Sequence, residues 1–378
     1  MIYLCAKEVG VISMSKMPFE PLTLPIDKSL IDLSQIITLF GRAESKIGEF
    51  NQKISSKQYC AGYAASHLAK MESLYSTKIE GTQTTIDKVY EAEADVKEKE
   101  TSIDTEEVLR YGYALSAGAK VIEDNPITCR LLKRLHKILL SGERVRKNSD
   151  FQPGEFRTQQ NMVGDHIPPI AIKVEDLMGN LENYINTAYN YDDGLPPLIK
   201  IAIIHAQFET IHPFPDGNGR VGRILIPLYL YKEKVISSPF FLISQELEKN
   251  KIKYYNYLQG TRSKTTLGFT EWIQFFLTAT INQSQKDIDF IESLERLHNR
   301  THEKMARLRN TVNYEKVLNF IFENPIFTIS KLASCTGIPR STVGSYVRSL
   351  EEQRIIFSDQ KQRNRNYYFI ELLDLLKS

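Results

Sequence analysis

His212-Pro213-Phe214-Pro215-Asp216-Gly217-Asn218-Gly219-Arg220-Val221-Gly222-Arg223 is the stretch on which the reading of this chain turns. Proline lacks a backbone N–H and pushes the residue before it out of helical geometry, so Pro213 and Pro215 stop any helix that arrives at His212. The arriving segment is helical, with Ile201, Ile204, Phe208 and Ile211 on one face. His212 is therefore presented at the mouth of a loop. Ile224, Leu225, Leu228 and Tyr229 resume the helical spacing, which places a new helix start at the glycines.

The first-turn amides of that helix are free to bind an anion, and Gly217 and Gly219 let it approach without a β-carbon in the way. Arg220 and Arg223, three apart, add two planar cationic forks. Asp216 is a hard oxygen ligand of the kind that Mg²⁺ shares with phosphates. His212 has the intrinsic pKa to take a proton from a hydroxyl near neutrality. Singly, each has a plainer reading: a histidine packing at a helix end, an N-capping Asp, two solvated arginines. Gathered in twelve residues, they describe phosphoryl-type transfer from a nucleotide. Gly217, Gly219 and Gly222 also satisfy the dinucleotide pattern GxGxxG, but that pattern needs a preceding strand, and here a helix and two prolines come first. A Walker loop is excluded for want of its Gly-Lys-Ser/Thr end.

Working outward, the chain is mainly α. Leu30, Leu33, Ile36, Ile37 and Phe40 recur at helical steps, as do Leu131, Leu132, Leu135, Ile138 and Leu139. Residues 90–107 are rich in Asp and Glu and read as a solvated loop or helix face. Pro153, Gly154, Gly164, Pro168 and Pro169 break up residues 151–169, which fits a loop with a short hairpin. Beyond residue 310 the order changes to helices at 314–322, 330–335 and 340–352, with Gly337 in a turn, then strands at 355–357 and 367–370. That order predicts a winged helix-turn-helix. On it, Arg340, Ser341, Thr342, Ser345, Tyr346 and Arg348 are candidate readers of DNA from the third helix, with Lys361, Arg363 and Arg365 on the wing. Residues 311–378 carry nine Lys or Arg against seven Asp or Glu, so a protein-binding or structural role competes evenly with DNA.

The whole chain sets further bounds. Its 378 residues, 42% hydrophobic and 25% charged, suit two or three packed domains. A net charge of +2 gives no general pull on nucleic acid. Cys5, Cys60, Cys129 and Cys335 lie too far apart in sequence for a zinc motif and indicate no disulfide framework. The expectation is a cytoplasmic enzyme with no export signal, no membrane anchor and no zinc. His67, His136, His166, His205, His298 and His302 assemble no metal site, and His205 reads as packing.

The stretch from His212 to Arg223 matches every fixed position of HxFx(D/E)GNGRxxR and so resembles the Fic family, with likeness extending over about residues 60–285. The resemblance implies a helical Fic-type core at 106–285 with a β-hairpin flap. A helical N-terminal region (1–105) would precede it, and a linker helix (286–310) and the winged-helix domain (311–378) would follow. It implies transfer of AMP from ATP, with Mg²⁺, to a Ser, Thr or Tyr hydroxyl of a protein or of the chain itself. His212 would be the base and Asp216 the metal ligand. Gly217, Asn218 and Gly219 would cradle phosphates by backbone and side chain, and Arg220 and Arg223 would hold the pyrophosphate. Met162, Val163 and His166 in the flap would dock the target. Ser76-Thr77-Lys78-Ile79-Glu80-Gly81 fits the family's inhibitory pattern (S/T)xxxE(G/N), in which Ser76, Glu80 and Gly81 belong to a helix at about 60–81 and Glu80 pairs with Arg223. Alternatives are a nucleotide-sensing DNA-binding regulator, removal of AMP, or transfer of another nucleotide-linked group. The sequence leaves a homodimer open.

Overall fold

The computed structural model describes residues 17–55, 61–94, 101–142, 152–187, 191–307, 313–359, 361 and 365–377. In chain order the helices of the body are α1 (Leu33–Ile54), α2 (Ala61–Ile79), α3 (Ile86–Ala94), α4 (Ile103–Ile122), α5 (Cys129–Leu139), α6 (Val174–Ile185), α7 (Pro197–Ile211), α8 (Asn218–Lys232), α9 (Ser244–Lys249), α10 (Lys251–Thr261) and α11 (Thr266–Ala306). A C-terminal unit follows: α12 (Tyr314–Glu323), β1 (Ile326–Thr328), α13 (Ile329–Thr336), α14 (Arg340–Glu352), β2 (Phe357–Ser358), β3 (Asn366–Tyr368) and α15 (Ile370–Lys377).

α7 is the axis of the body. From Leu198 to Ile211 every residue of it is buried, the polar Lys200, His205, Gln207, Glu209 and Thr210 included. α8 packs beside it and is buried almost throughout. The Trp272 indole N–H donates to the Ala202 carbonyl at 2.8 Å and ties α11 to the same axis. Around this pair lie α4, α6, α10 and α11, with α1 running along α11 and α2 along α4.

α11 does not break at residue 285. Ile288, Ile291, Leu294, Leu297 and Met305 continue its buried stripe, so the expected linker helix is, as far as Ala306, the second half of a 41-residue core helix. A continuous three-and-four spacing leaves nothing to end the helix there.

The three C-terminal strands form an antiparallel sheet in the order β1-β3-β2, with Phe327 opposite Tyr367 and Phe357 opposite Tyr368. β1 was not expected; three residues are too few to show alternation. The last expected strand ends at Tyr368, because Leu372, Leu373 and Leu376 form the buried face of α15, which begins at Ile370. On α14, Arg340, Ser345 and Arg348 are exposed, whereas Tyr346 is buried with its hydroxyl accepting from the Asn313 N–H at 3.1 Å. Tyr346 is therefore a packing residue and not a surface reader. Arg365 donates to the Lys361 carbonyl at 2.9 Å, and Arg363 lies outside the described residues.

The C-terminal unit rests on α2 and α3. His67 on α2 donates from Nε2 to the Phe322 carbonyl at 2.8 Å and accepts from the Tyr90 hydroxyl at Nδ1. Lys331 reaches the Glu93 carbonyl at 2.9 Å, Tyr368 donates to Glu91 at 3.2 Å, and Lys377 pairs with Asp87 at 2.7 Å. Further on, Asp104 accepts from the Gln83 N–H and Glu107 from the Thr82 hydroxyl. The acidic stretch is thus a docking and capping surface as well as a solvated face; its residues 95–100 lie outside those described. Among the described residues no helix is long and apolar enough to cross a membrane.

Candidate functional site

α7 ends where the prolines require. His212 caps it in the left-handed region (φ 50°, ψ 61°), its N–H donating to the Phe208 carbonyl at 2.9 Å. A β-carbon makes this conformation costly, so it needs outside support. Arg157 gives it. Its buried guanidinium donates to the carbonyls of His212 (2.9 Å), Pro169 (2.5 Å), Ile211 (3.4 Å) and Gln159 (3.2 Å), and its own N–H donates to the Pro213 carbonyl at 2.8 Å. An arginine serving four carbonyls has no acidic partner to betray it in sequence, and this stapling role was not foreseen.

The loop that follows is closed by Asn218. Its Oδ1 accepts from the Phe214 N–H and its Nδ2 donates to the Phe214 carbonyl, both at 2.8 Å. The Asn218 side chain is therefore spent within the loop and does not reach an anion; only its backbone starts α8. Gly217 precedes the helix at φ 75°, a geometry open to glycine.

Burial pushes the His212 pKa down to about 3, reinforced by His166 and by the cations Arg262 and Arg157. Its Nδ1 is buried without a hydrogen-bond partner. A ring held neutral in this way is able to accept a proton throughout the physiological range.

The first turn of α8 carries the cations inward. Arg220 is buried, with Glu107 at 3.9 Å, Asp216 at 3.8 Å and its Nε without a partner. Arg223 is 1% exposed and donates to the Ser76 hydroxyl at 2.8 Å, to the Ser76 carbonyl at 3.1 Å and to the Glu80 carboxylate. α2 ends at Ile79 and Gly81 turns the chain at φ 98°, which leaves Glu80 standing over the start of α8. A β-carbon added at Gly219 would come within 2.3 Å of Glu80 Oε1 and 2.8 Å of an Arg223 nitrogen. Burial opposes ionisation of Glu80, yet Arg223, with Arg220 and Lys251, holds its carboxyl below the ordinary value. The Glu80 carboxylate thus lies against the first residues of α8 and is held there by Arg223.

Asp216 presents a carboxylate 70% exposed beside Arg220, one oxygen accepting from the Gly217 N–H at 2.6 Å. A largely exposed carboxylate is an oxygen donor of the kind that Mg²⁺ uses when it shares ligands with a nucleotide, so Asp216 fits the ion. Glu80, Asp216, Arg220, Arg110 and Leu140 line an adjoining cleft of about 170 Å³.

In the flap, Val163 and His166 form a two-residue antiparallel bridge. Met162 is 70% and Val163 38% exposed. His166 points inward, its Nε2 donating to the Thr210 carbonyl at 2.9 Å and its ring edge-on to Phe19. Its side chain is therefore not offered to a target, because the loop folds it beneath the bridge. His205 packs as expected, bonded to the Gly222 carbonyl and the Tyr254 hydroxyl. Glu209, one turn before His212, was missed: its buried carboxyl has a pKa raised to about 7 by burial against the opposing pull of Arg223 and Arg262, and it occupies the space left by the absent β-carbon of Gly222.

Residues 126–230 match the Fic/DOC family and residues 37–120 the Fic/DOC family N-terminal region. Curated relatives include proteins named protein adenylyltransferase Fic. The one from Drosophila willistoni is 31% identical over 141 residues, covering 37% of this chain and 26% of that one. The one from Drosophila melanogaster is 28% identical over 212 residues, covering 53% and 40%. The chain thus matches between about a quarter and two-fifths of the length of these relatives. Among solved structures, a Fic family protein from Desulfovibrio desulfuricans G20 superposes with a TM-score of 0.52 at 20% identity, covering 93% of this chain and 98% of that chain. Fic-1 from C. elegans superposes at 0.51 with 15% identity, covering 69% and 75%. These two likenesses concern the fold, and they agree with the two sequence matches: the chain belongs to the Fic family.

Proposed function

We propose that this protein transfers the AMP moiety of ATP to a hydroxyl of a protein, or of the chain itself, and that the resting chain restrains that activity through Glu80. The observation that carries the reading is the Glu80 carboxylate on Arg223 above Gly219: the start of α8 is built for an anion, next to a neutral base at the end of α7.

The chemistry follows from the groups present. His212 takes the proton of the attacking hydroxyl as its oxygen bonds to the α-phosphorus. The bond from that phosphorus to the bridging oxygen of the β-phosphate breaks, and pyrophosphate leaves. Arg220, Arg223 and the first amides of α8 meet the charge that develops on the leaving group. Asp216 would hold Mg²⁺, which neutralises phosphate charge when bound. Glu80 competes with the terminal phosphates for Arg223, so ATP and the closed ion pair exclude one another.

Incubation with α-labelled ATP and cell lysate tests this. Glu80→Gly is expected to raise label incorporation about tenfold or more, the worth of one charge-assisted bond. His212→Ala in that background is expected to lower it by ~10²–10⁴. Equal labelling by wild type and Glu80→Gly would sink the restraint, and undiminished labelling by His212→Ala would sink the base.

A further inference from the structure

We infer that His136 is the positioning residue that orients the Asp216–Gly217 peptide, and with it the Gly217 N–H at the entrance to α8; the inference rests on the transfer reading above.

His136 lies near the end of α5, fully buried. Its Nδ1 accepts from the Gly154 N–H at 2.8 Å. An amide N–H only donates, so Nδ1 carries no hydrogen and the ring proton sits on Nε2. Nε2 therefore donates to the Asp216 carbonyl, 2.9 Å away. The ring is stacked on Phe214 with centroids 3.9 Å apart and planes within 7°. Gly217 lies directly over it: a β-carbon there would be 3.5 Å from the imidazole Cδ2 and 3.1 Å from a Leu140 methyl.

The carbonyl and the following N–H of a trans peptide point in opposite directions. With the Asp216 carbonyl turned inward to His136, the Gly217 N–H is turned outward, where it meets the exposed Asp216 carboxylate. The reverse orientation is within reach of a peptide that precedes a glycine at φ 75°. It would aim a carbonyl oxygen at the phosphates and repel them. His136 selects between the two. Through Gly154 the same ring also grips the stem of the segment that carries Arg157, the staple of His212. One imidazole thus sets both the amide for the leaving group and the support of the base. Sequence reading counted His136 only among the histidines that assemble no metal site.

The two ring contacts are separable. In the Glu80→Gly background, His136→Asn keeps an acceptor near the Nδ1 position and loses the donor to Asp216. His136→Gln keeps a donor near the Nε2 position. MgATP binding by titration calorimetry is expected to weaken about tenfold in His136→Asn and to recover most of that loss in His136→Gln. Melting temperatures measured alongside are expected not to follow this order. Equal affinities in the two variants, or affinities that fall in step with melting temperature, would overturn the positioning role. Failure of the Glu80→Gly parent itself to bind MgATP would remove the transfer reading and this inference with it.

Discussion

At His212 the backbone takes a left-handed turn that its own β-carbon resists, and the ring is left neutral by the protein around it. The sign of the pH effect follows. A base works when deprotonated, and an ordinary histidine would lose that state below about pH 6.5. With the His212 pKa lowered to about 3, the loss moves to far lower pH. In the Glu80→Gly background, kcat for AMP transfer is therefore expected to show no histidine-like fall between about pH 8 and pH 5; an acid limb centred near pH 6.5 would contradict the burial argument. The location of this residue was legible, because Pro213 and Pro215 dictate where α7 stops. Its pKa was not, since His166, Arg157 and Arg262 come from segments that only the fold brings together. Asn218 shows the opposite limit. Its place at the helix start was plain from the glycines around it, but its side chain bonds back to Phe214, a contact within the loop that spacing does not reveal.

At the scale of elements, the decisive contact is α2 on α8. Ser76 and Glu80 lie one turn apart and so share a face, and both meet Arg223. Gly219 makes the approach close enough. Gly219→Ala would drive a methyl into Glu80 and Arg223, and overpacking of this kind costs ~1–3 kcal/mol. In the Glu80→Gly background the shorter of the two overlaps is gone. The destabilisation by Gly219→Ala, measured by chemical denaturation, is expected to be smaller there than in wild type; an equal cost in both backgrounds would show that Glu80 does not stand over the helix start. The helices themselves were legible as apolar stripes, and α7, α8 and α14 lie close to where the sequence puts them. β1 and α15 were not, being too short for a period to declare itself or hidden behind a strand-like run of aromatics from Tyr367 to Phe369.

At the scale of the whole molecule, the C-terminal unit is part of the body's packing. His67 spends both ring nitrogens on it and on α3, and burial pushes its pKa down to about 3. His67→Leu would leave the Phe322 carbonyl and the Tyr90 hydroxyl buried without this partner. Each orphaned group costs ~1–3 kcal/mol, so the variant is expected to melt earlier by calorimetry. Because α11 packs in both parts, it is expected to melt in one transition; a second, earlier transition confined to the C-terminal unit would refute the shared core. The linker helix expected from residue 286 is the continuation of α11, whose apolar spacing runs unbroken to Met305.

A helix of 41 residues measures ~60 Å at 1.5 Å per residue. A flexible tether would give the catalytic mouth and the C-terminal surface a spread of separations, with an effective concentration set by its length. A rod gives them one. The separation between His212 and the exposed face of α14 is measured off as by a ruler, and becomes a fixed coordinate of the fold.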